Sequence, residues 1–415
     1  MVTRRLLEIV QARLREEPVI LLQGPRSVGK SVLLLEIAAN CGASVLDLDD
    51  LATRDAVVAD PGIFVAGPSP VFIDEYQKAP LALDAIKAEL NRDGSPGRFV
   101  LTGSTTHDAL PIAAQALTGR LHRLPVYPLS QGEIAGVTEH LLVDLFADPT
   151  KAVPASMSTT TREDYIERIV VGGFPISLSR PSAASRNRWF DDYIQLTLER
   201  DVRELSKVKQ DAALPQILAK LAGRTAQVLN INQVANDLRL SEDLVRSHTK
   251  LLEAVFLVQR LPAWGTTLIA RSSSHPKIHV MDSGVAARLL RLTPDKLAKR
   301  HATALGELGH LLETFVVGEL MRQVSWLDGF AGVGHWRTWD GDEVDLVVER
   351  DDGAIVAFEV KTSSRVRSVD FNPMRKLRDK MGDAFLAGVA LHLGQRSYTF
   401  EDRLHVMPVD RLWAP

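Results

Sequence analysis

PVILLQGPRSVGKSVLLLEIAAN, residues 18 to 40, runs from a short apolar segment through a glycine-bounded loop into apolar residues at helical spacing. That order predicts a buried strand, a tight loop and a helix. The loop comprises Gly24, Pro25, Arg26, Ser27, Val28, Gly29, Lys30 and Ser31. Glycines at its ends let backbone N–H groups curl around phosphate oxygens, and the following helix adds its N-terminal dipole. Lys30 supplies a point charge for the β and γ phosphates, and the Ser31 hydroxyl suits Mg²⁺. The loop therefore predicts nucleotide binding.

Three further apolar runs surround it: SVLDLDD, PVFIDEY and RFVLTGS. All read as buried strands of a parallel sheet, alternating with helical patterns, so an α/β domain is expected over residues 1–135. VFIDE, residues 71 to 75, delivers Asp74 to a metal and sets Glu75 beyond it to polarise water. With the phosphate loop, this pair points to hydrolysis as well as binding.

Composition bounds the rest. The 415 residues, 45% of them hydrophobic, suffice for two or three cored domains. Lys and Arg number 49 against 52 Asp and Glu, so no whole-chain basic field advertises nucleic acid, and any such contact must be local. Cys41 is the single cysteine, which excludes an intramolecular disulfide and fits a reducing compartment. The start of the chain reads as an amphipathic helix (Leu6, Val10, Leu14), not a signal peptide, and no stretch has the length of a membrane span. A cytoplasmic, soluble protein is expected. No HExxH, CxxC or GxSxG spacing occurs.

Residues 136–290 read as a helical linker and a second domain. GGFP (172 to 175) breaks the pattern before a long helix expected near 184 to 209, on which Arg200 and Asp201 form either a lid over the nucleotide or a solvated ion-pair face. Asn232 to Leu238, a turn and Ser241 to Phe256, followed by LVQRLPAW, read as a helix-turn-helix with a wing strand. Arg246 and Lys250 then share one face of the second helix, where they suit phosphate contacts; protein contact is the other use of such a face. Residues 291–415 return to α/β character.

There EVDLVVERDDGAIVAFEVKTS, residues 343 to 363, reads as a hairpin turning at Asp352. Asp345 and Glu359 are each seven residues from that turn and face each other; Lys361 shares their side, and Val344, Leu346, Val348, Val356, Phe358 and Val360 fill the other. Two facing carboxylates repel, so a cation is expected between them. A divalent ion on Asp345 and Glu359, with Lys361 orienting or deprotonating water, would suit phosphodiester hydrolysis. The alternative is a solvated face on which Glu359 and Lys361 pair with each other. The segment 361 to 380, with seven basic residues against two acidic, suits a nucleic-acid backbone or a solvated helix face.

GPRSVGKS, VFIDEYQ, FVLTGST and LTGRLHRLPVYPLSQGE together resemble the AAA+ ATPases. The resemblance implies a polar sensor at Thr102 or Ser104, and an Arg120 that meets the γ phosphate in its own subunit or a neighbour's. Asp345, Glu359 and Lys361 resemble the motif of the PD-(D/E)XK nucleases, in which a glutamate on a preceding helix, here Glu313, often joins the metal site. The superfamily's usual proline or turn residue before the first acid is replaced by Glu343-Val344. The whole order resembles a prokaryotic family of predicted AAA+ ATPases with a winged helix and a C-terminal restriction-endonuclease-like domain. The resemblance implies ATP and Mg²⁺ as cofactors, with Mn²⁺ a further ion for the C-terminal site, a homo-oligomer, and nucleic acid, DNA ahead of RNA, as partner. Two functions follow: an ATPase coupled to a nuclease-like domain for nucleic-acid processing, or a nucleotide-switched regulator whose terminal domain cuts nothing.

Overall fold

The structure is a computed structural model and describes residues 2–106, 117, 119–205, 212–267, 275–299 and 301–414. Five strands, β1 (Val19–Gln23), β2 (Val45–Asp47), β3 (Val71–Asp74), β4 (Phe99–Gly103) and β5 (Leu121–Pro125), form a parallel sheet in the order β2-β3-β4-β1-β5. Alternation sends their side chains to two separate cores: Ile20, Leu22, Phe72 and Val100 to one, Val19, Leu21, Ile73, Phe99 and Leu101 to the other. A strand covered on both faces must be apolar throughout, which is why β1 reads as an unbroken hydrophobic run. β5, LHRLP, carries the weakest such signal and went unread as a strand. The helix Leu6–Arg13 buries Leu6 and Val10 as its spacing predicts.

The middle of the chain supplies β6 (Gln227–Val228), β7 (Val258–Leu261) and β8 (Lys277–Val280), an antiparallel sheet ordered β6-β8-β7. The helices Ala213–Ala222, Ile231–Leu238 and Glu242–Ala254 pack with it. Asn230 and Ser241 cap the last two through their side chains, bonding the N–H groups of Gln233 and Leu244. The long helix expected to 209 instead runs Ala183–Leu196, passes through a π turn at Thr197–Asp201 and resumes over Val202–Leu205. Residues 206–209 of that expectation lie outside the described residues.

The terminal domain is a six-stranded mixed sheet: β9 (Phe330–Arg337), β10 (Glu343–Arg350), β11 (Ile355–Lys361), β12 (Phe385–His392), β13 (Tyr398–Glu401) and β14 (Leu404–Pro408), in the order β13-β14-β12-β11-β10-β9. β10 and β11 form the expected hairpin, with Leu346 opposite Phe358 and Glu349 opposite Ile355; Gly353 turns it at a φ of 84°. Its second face is not open. Val347, Ile355 and Ala357 pack with Phe371, Met374 and Leu377 around the helix Asn372–Met381, while Leu346, Val348, Val356 and Phe358 join the core that includes the helix Ala302–Trp326. Val344 belongs to the first of these groups, not the second as strict alternation predicts. A bulge explains the switch: between the pairs Val344–Trp336 and Val347–Gly334, β10 has two residues, Asp345 and Leu346, against His335 alone.

Among the described residues no helix is long and apolar enough to cross a membrane.

Candidate functional site

The loop Gly24–Ser31 lies between β1 and the helix Lys30–Asn40, at the C-terminal edge of the parallel sheet. Its backbone demands its glycines. A Cβ on Gly24 would stand 2.0 Å from the Val126 carbonyl oxygen, and Gly29 sits at a φ of 94°. Lys30 is only 4% exposed; its ammonium donates to the carbonyl oxygens of Gly24 (2.9 Å) and Pro25 (2.7 Å). Burial lowers its pKa to about 8, against the opposing pull of Glu75. Ser31 is exposed at the first turn of the helix.

β3 brings Asp74 and Glu75 to the same edge, both buried. Glu75 adopts a left-handed φ of 53°, a conformation that costs a non-glycine residue about 1 to 2 kcal/mol. Its N–H then donates to Asp74 Oδ1 (3.1 Å) and Thr102 Oγ1 (3.2 Å). The two candidate sensors divide the work. Thr102 donates its hydroxyl to Asp74 Oδ1, whereas Ser104 donates to Glu75 Oε2 at 3.1 Å. Gln77, which the sequence reading missed, donates its amide to Glu75 Oε2 and to Ser104 Oγ. Gly103 between the sensors makes room for Tyr76, whose Cε1 would lie 2.6 Å from an added Cβ. The arrangement fits a nucleotide: N–H groups and an ammonium for phosphates, Ser31 and Asp74 for Mg²⁺, Glu75 held for water.

Asp201 reaches this loop from the π turn. It is 1% exposed and accepts from Arg26 Nε at 2.6 Å, so the turn is fastened to the phosphate loop. π turns inside helices recur at functional sites. Of the lid pair, Arg200 is exposed and Asp201 makes the contact.

Arg120 lies elsewhere. It precedes β5, whose Leu121 pairs with Val19 at the start of β1, so it stands at the edge opposite the phosphate loop. Five residues of strand separate the two edges by about 13 Å. Arg120 donates to Asn91 Oδ1 at 2.8 Å. The own-subunit role therefore fails on geometry.

In the terminal domain the hairpin pairs Leu346 with Phe358, one step short of Asp345 and Glu359. Asp345 Oδ2 accepts from the Val360 N–H at 2.9 Å. The cation beside the carboxylates is a lysine that the sequence reading did not single out. Lys277 of β8 places its ammonium 2.6 Å from Glu313, 2.5 Å from Glu343 and 3.1 Å from Asp345. Burial would lower its pKa, but Asp345, Glu313 and Glu343 outweigh that and raise it. Burial, reinforced by Asp345, raises Glu313 well above the carboxylate range.

Glu359 pairs with Lys361 at 2.7 Å. Burial and then Asp345 push the Glu359 carboxyl up to about 8 against the pull of Lys361. Burial is the largest single influence on Lys361 and lowers its pKa, but Glu359, Asp345 and Asp370 together outweigh it and raise the pKa, so this lysine keeps its proton and is a poor base for water. Among the described residues no group of three or more His, Cys, Asp or Glu is arranged to hold a metal ion. In this arrangement ammonium groups, Lys277 and Lys361, stand where an ion was expected beside Glu313, Asp345 and Glu359.

The basic segment 361 to 380 is largely paired within the chain. Arg375 and Arg378 bond Glu401, Lys376 bonds Asp342 and Arg367 bonds Asp370. Arg246 and Lys250 are both exposed on the helix Glu242–Ala254.

Comparison with known proteins assigns three segments. Residues 16–135 match the family described as AAA domain; residues 162–296 and 308–412 each match a domain of unknown function, DUF8612 and DUF4143. The first segment, with its phosphate loop and five-stranded parallel sheet, has the architecture expected of the AAA domain that it matches. The chain is similar to the Uncharacterized protein Mb2031c of Mycobacterium bovis and the Uncharacterized protein Rv2008c of Mycobacterium tuberculosis. Each is 27% identical over 403 residues, covering 96% of this chain and 82% of theirs. Among solved structures, the Walker-type ATPase PABY2304 of Pyrococcus abyssi overlaps 70% of this chain and 96% of its own, at 14% identity and a TM-score of 0.40.

Proposed function

We propose that this protein hydrolyses Mg-ATP at Lys30, Asp74 and Glu75 and uses the cycle to switch the helical and terminal domains. One observation carries the reading: Glu75 is held by Ser104 and Gln77 beside a buried Lys30, while Thr102 fixes Asp74. Ser31 and Asp74 hold Mg²⁺, which supplies charge neutralisation for the phosphates. Asp201 is the coupling point, because whatever reshapes the phosphate loop pulls on Arg26. The middle domain, with its helix–strand–helix–helix–strand–strand order, acts as a winged helix. Its exposed Arg246 and Lys250 suit a nucleic-acid backbone, duplex DNA ahead of RNA.

Arg120, facing away from its own nucleotide, acts on a neighbouring subunit in a homo-oligomer. Purified protein turns over ATP with Mg²⁺, and Lys30→Ala abolishes this. Mixing inactive Lys30→Ala with inactive Arg120→Ala protein restores part of the turnover. No turnover by wild type refutes the ATPase; no rescue between intact assemblies refutes the neighbour role.

A second reading keeps a metal-dependent cut at Asp345, Glu359 and Lys361. Their order, the bulge that aims Asp345 and the restriction-endonuclease-like resemblance favour it; the ammonium groups on every carboxylate of the set weigh against it.

A further inference from the structure

The terminal cluster has more acid than base. Glu313 on the helix Ala302–Trp326, Glu343 and Asp345 on β10, and Glu359 on β11 converge in one partly enclosed region, Glu343 at its more exposed side, and among the described residues Lys277 and Lys361 are the ammonium groups bonded to them. Arg337 touches only the rim, 3.6 Å from Glu343. Lys277 is the central charge: its side chain is 1% exposed and meets three carboxylates from two elements. One acceptor is still unfilled. Among the described residues Glu359 Oε2 is buried without a hydrogen-bond partner, although its other oxygen holds Lys361. A buried acceptor left in this way costs stability, and a donor, a water or an ion would satisfy it.

Lys277 does not belong to the terminal domain. It arrives on β8, paired with β6 and β7 of the middle domain. The two sheets are joined beside it: the Trp264 N–H donates to the His335 carbonyl (2.7 Å), the His335 N–H to that of Pro262 (3.0 Å), and Trp264 Nε1 to Glu349 (2.8 Å). His335 is also the residue opposite the bulge that turns Asp345. The contact that seats Lys277 and the distortion that aims Asp345 are therefore one joint.

We propose that Lys277 occupies the cation seat of the terminal domain, so that the middle domain's β8 and a divalent metal ion compete for Glu313, Glu343 and Asp345. With Lys277 in place the cluster is a metal-free bolt between the two domains. With Lys277 withdrawn, three carboxylates and the unfilled oxygen of Glu359 make a site of hard oxygen donors, the class that binds Mg²⁺ or Mn²⁺. Whether any strand is cut is a separate matter; the inference concerns only which cation sits there.

The test uses full-length protein without nucleotide, melted with and without Mn²⁺. Lys277→Met melts lower than wild type in metal-free buffer, because three carboxylates lose their counter-charge, and Mn²⁺ raises its melting temperature by several degrees more than that of wild type. The phosphate-loop site contributes equally to both proteins and cancels in the difference. Adding Asp345→Asn to Lys277→Met shrinks the Mn²⁺ response. Equal Mn²⁺ shifts in wild type and Lys277→Met overturn the proposal. Where Lys277→Met cannot be recovered without metal, refolding decides: recovery with Mn²⁺ alone supports it, and no recovery in either buffer overturns it.

Discussion

Lys30 is nearly enclosed, and its ammonium rests on two carbonyl oxygens of its own loop, so the position it needs for phosphate is already formed. Enclosure lowers its pKa to about 8 and so ties nucleotide affinity to pH. Phosphate binding requires the ammonium, whose fraction falls as pH rises through about 8. ATP affinity should therefore be flat below that point and fall by up to about tenfold per pH unit above it. Fluorescent-nucleotide titrations between pH 7 and 9.5 check this, and Lys30→Arg, which keeps its charge, should flatten the profile; a flat wild-type profile contradicts the assignment. Lys30, Asp74 and Glu75 were legible in the sequence because each follows an apolar strand at fixed spacing. Gln77 and Lys277 were not. Gln77 matters only through a short helical turn that folds it back on Glu75, and Lys277 is 36 residues from Glu313 and 68 from Asp345, beyond any local pattern.

At the scale of elements, the π turn is the feature that the helical periodicity predicted least well. An extra residue in one turn leaves the apolar pattern on either side intact, so the sequence reads as one continuous helix. The consequence is that Asp201 reaches the phosphate loop. Breaking a largely buried ion pair leaves a charge uncompensated, and because Arg26 is partly exposed the cost falls at the low end, about 1 to 3 kcal/mol. A double-mutant cycle of Arg26→Gln and Asp201→Asn, read by denaturant melts, should show coupling of about that size. Additive effects would mean that the turn is not fastened there. The hairpin β10–β11 shows the converse. Its turn and register were legible, because Asp352-Gly353 and alternating apolar residues specify them. The bulge at Asp345 and the helix over the second face were not, since both depend on what packs from outside.

On the scale of the whole molecule, the sequence spoke most clearly for the first domain. A phosphate loop and an acidic strand end are local in the chain, and the AAA-domain match over residues 16–135 agrees with them. Relations between domains were hidden. The edge of the sheet on which Arg120 stands, the joint of Trp264 with His335 and the lysine that bridges two domains all depend on tertiary packing. Under the proposed function the Arg26–Asp201 pair would give an ATPase cycle a physical route outward, from the phosphate loop toward the helical domain. The route has a purpose only if the first domain turns ATP over through Glu75. The direct measurement is nucleotide binding and phosphate release side by side in wild type and Glu75→Gln. The account predicts that the variant binds Mg-ATP as tightly as wild type yet releases no phosphate, accumulating an ATP-bound form; phosphate release at the wild-type rate would contradict it.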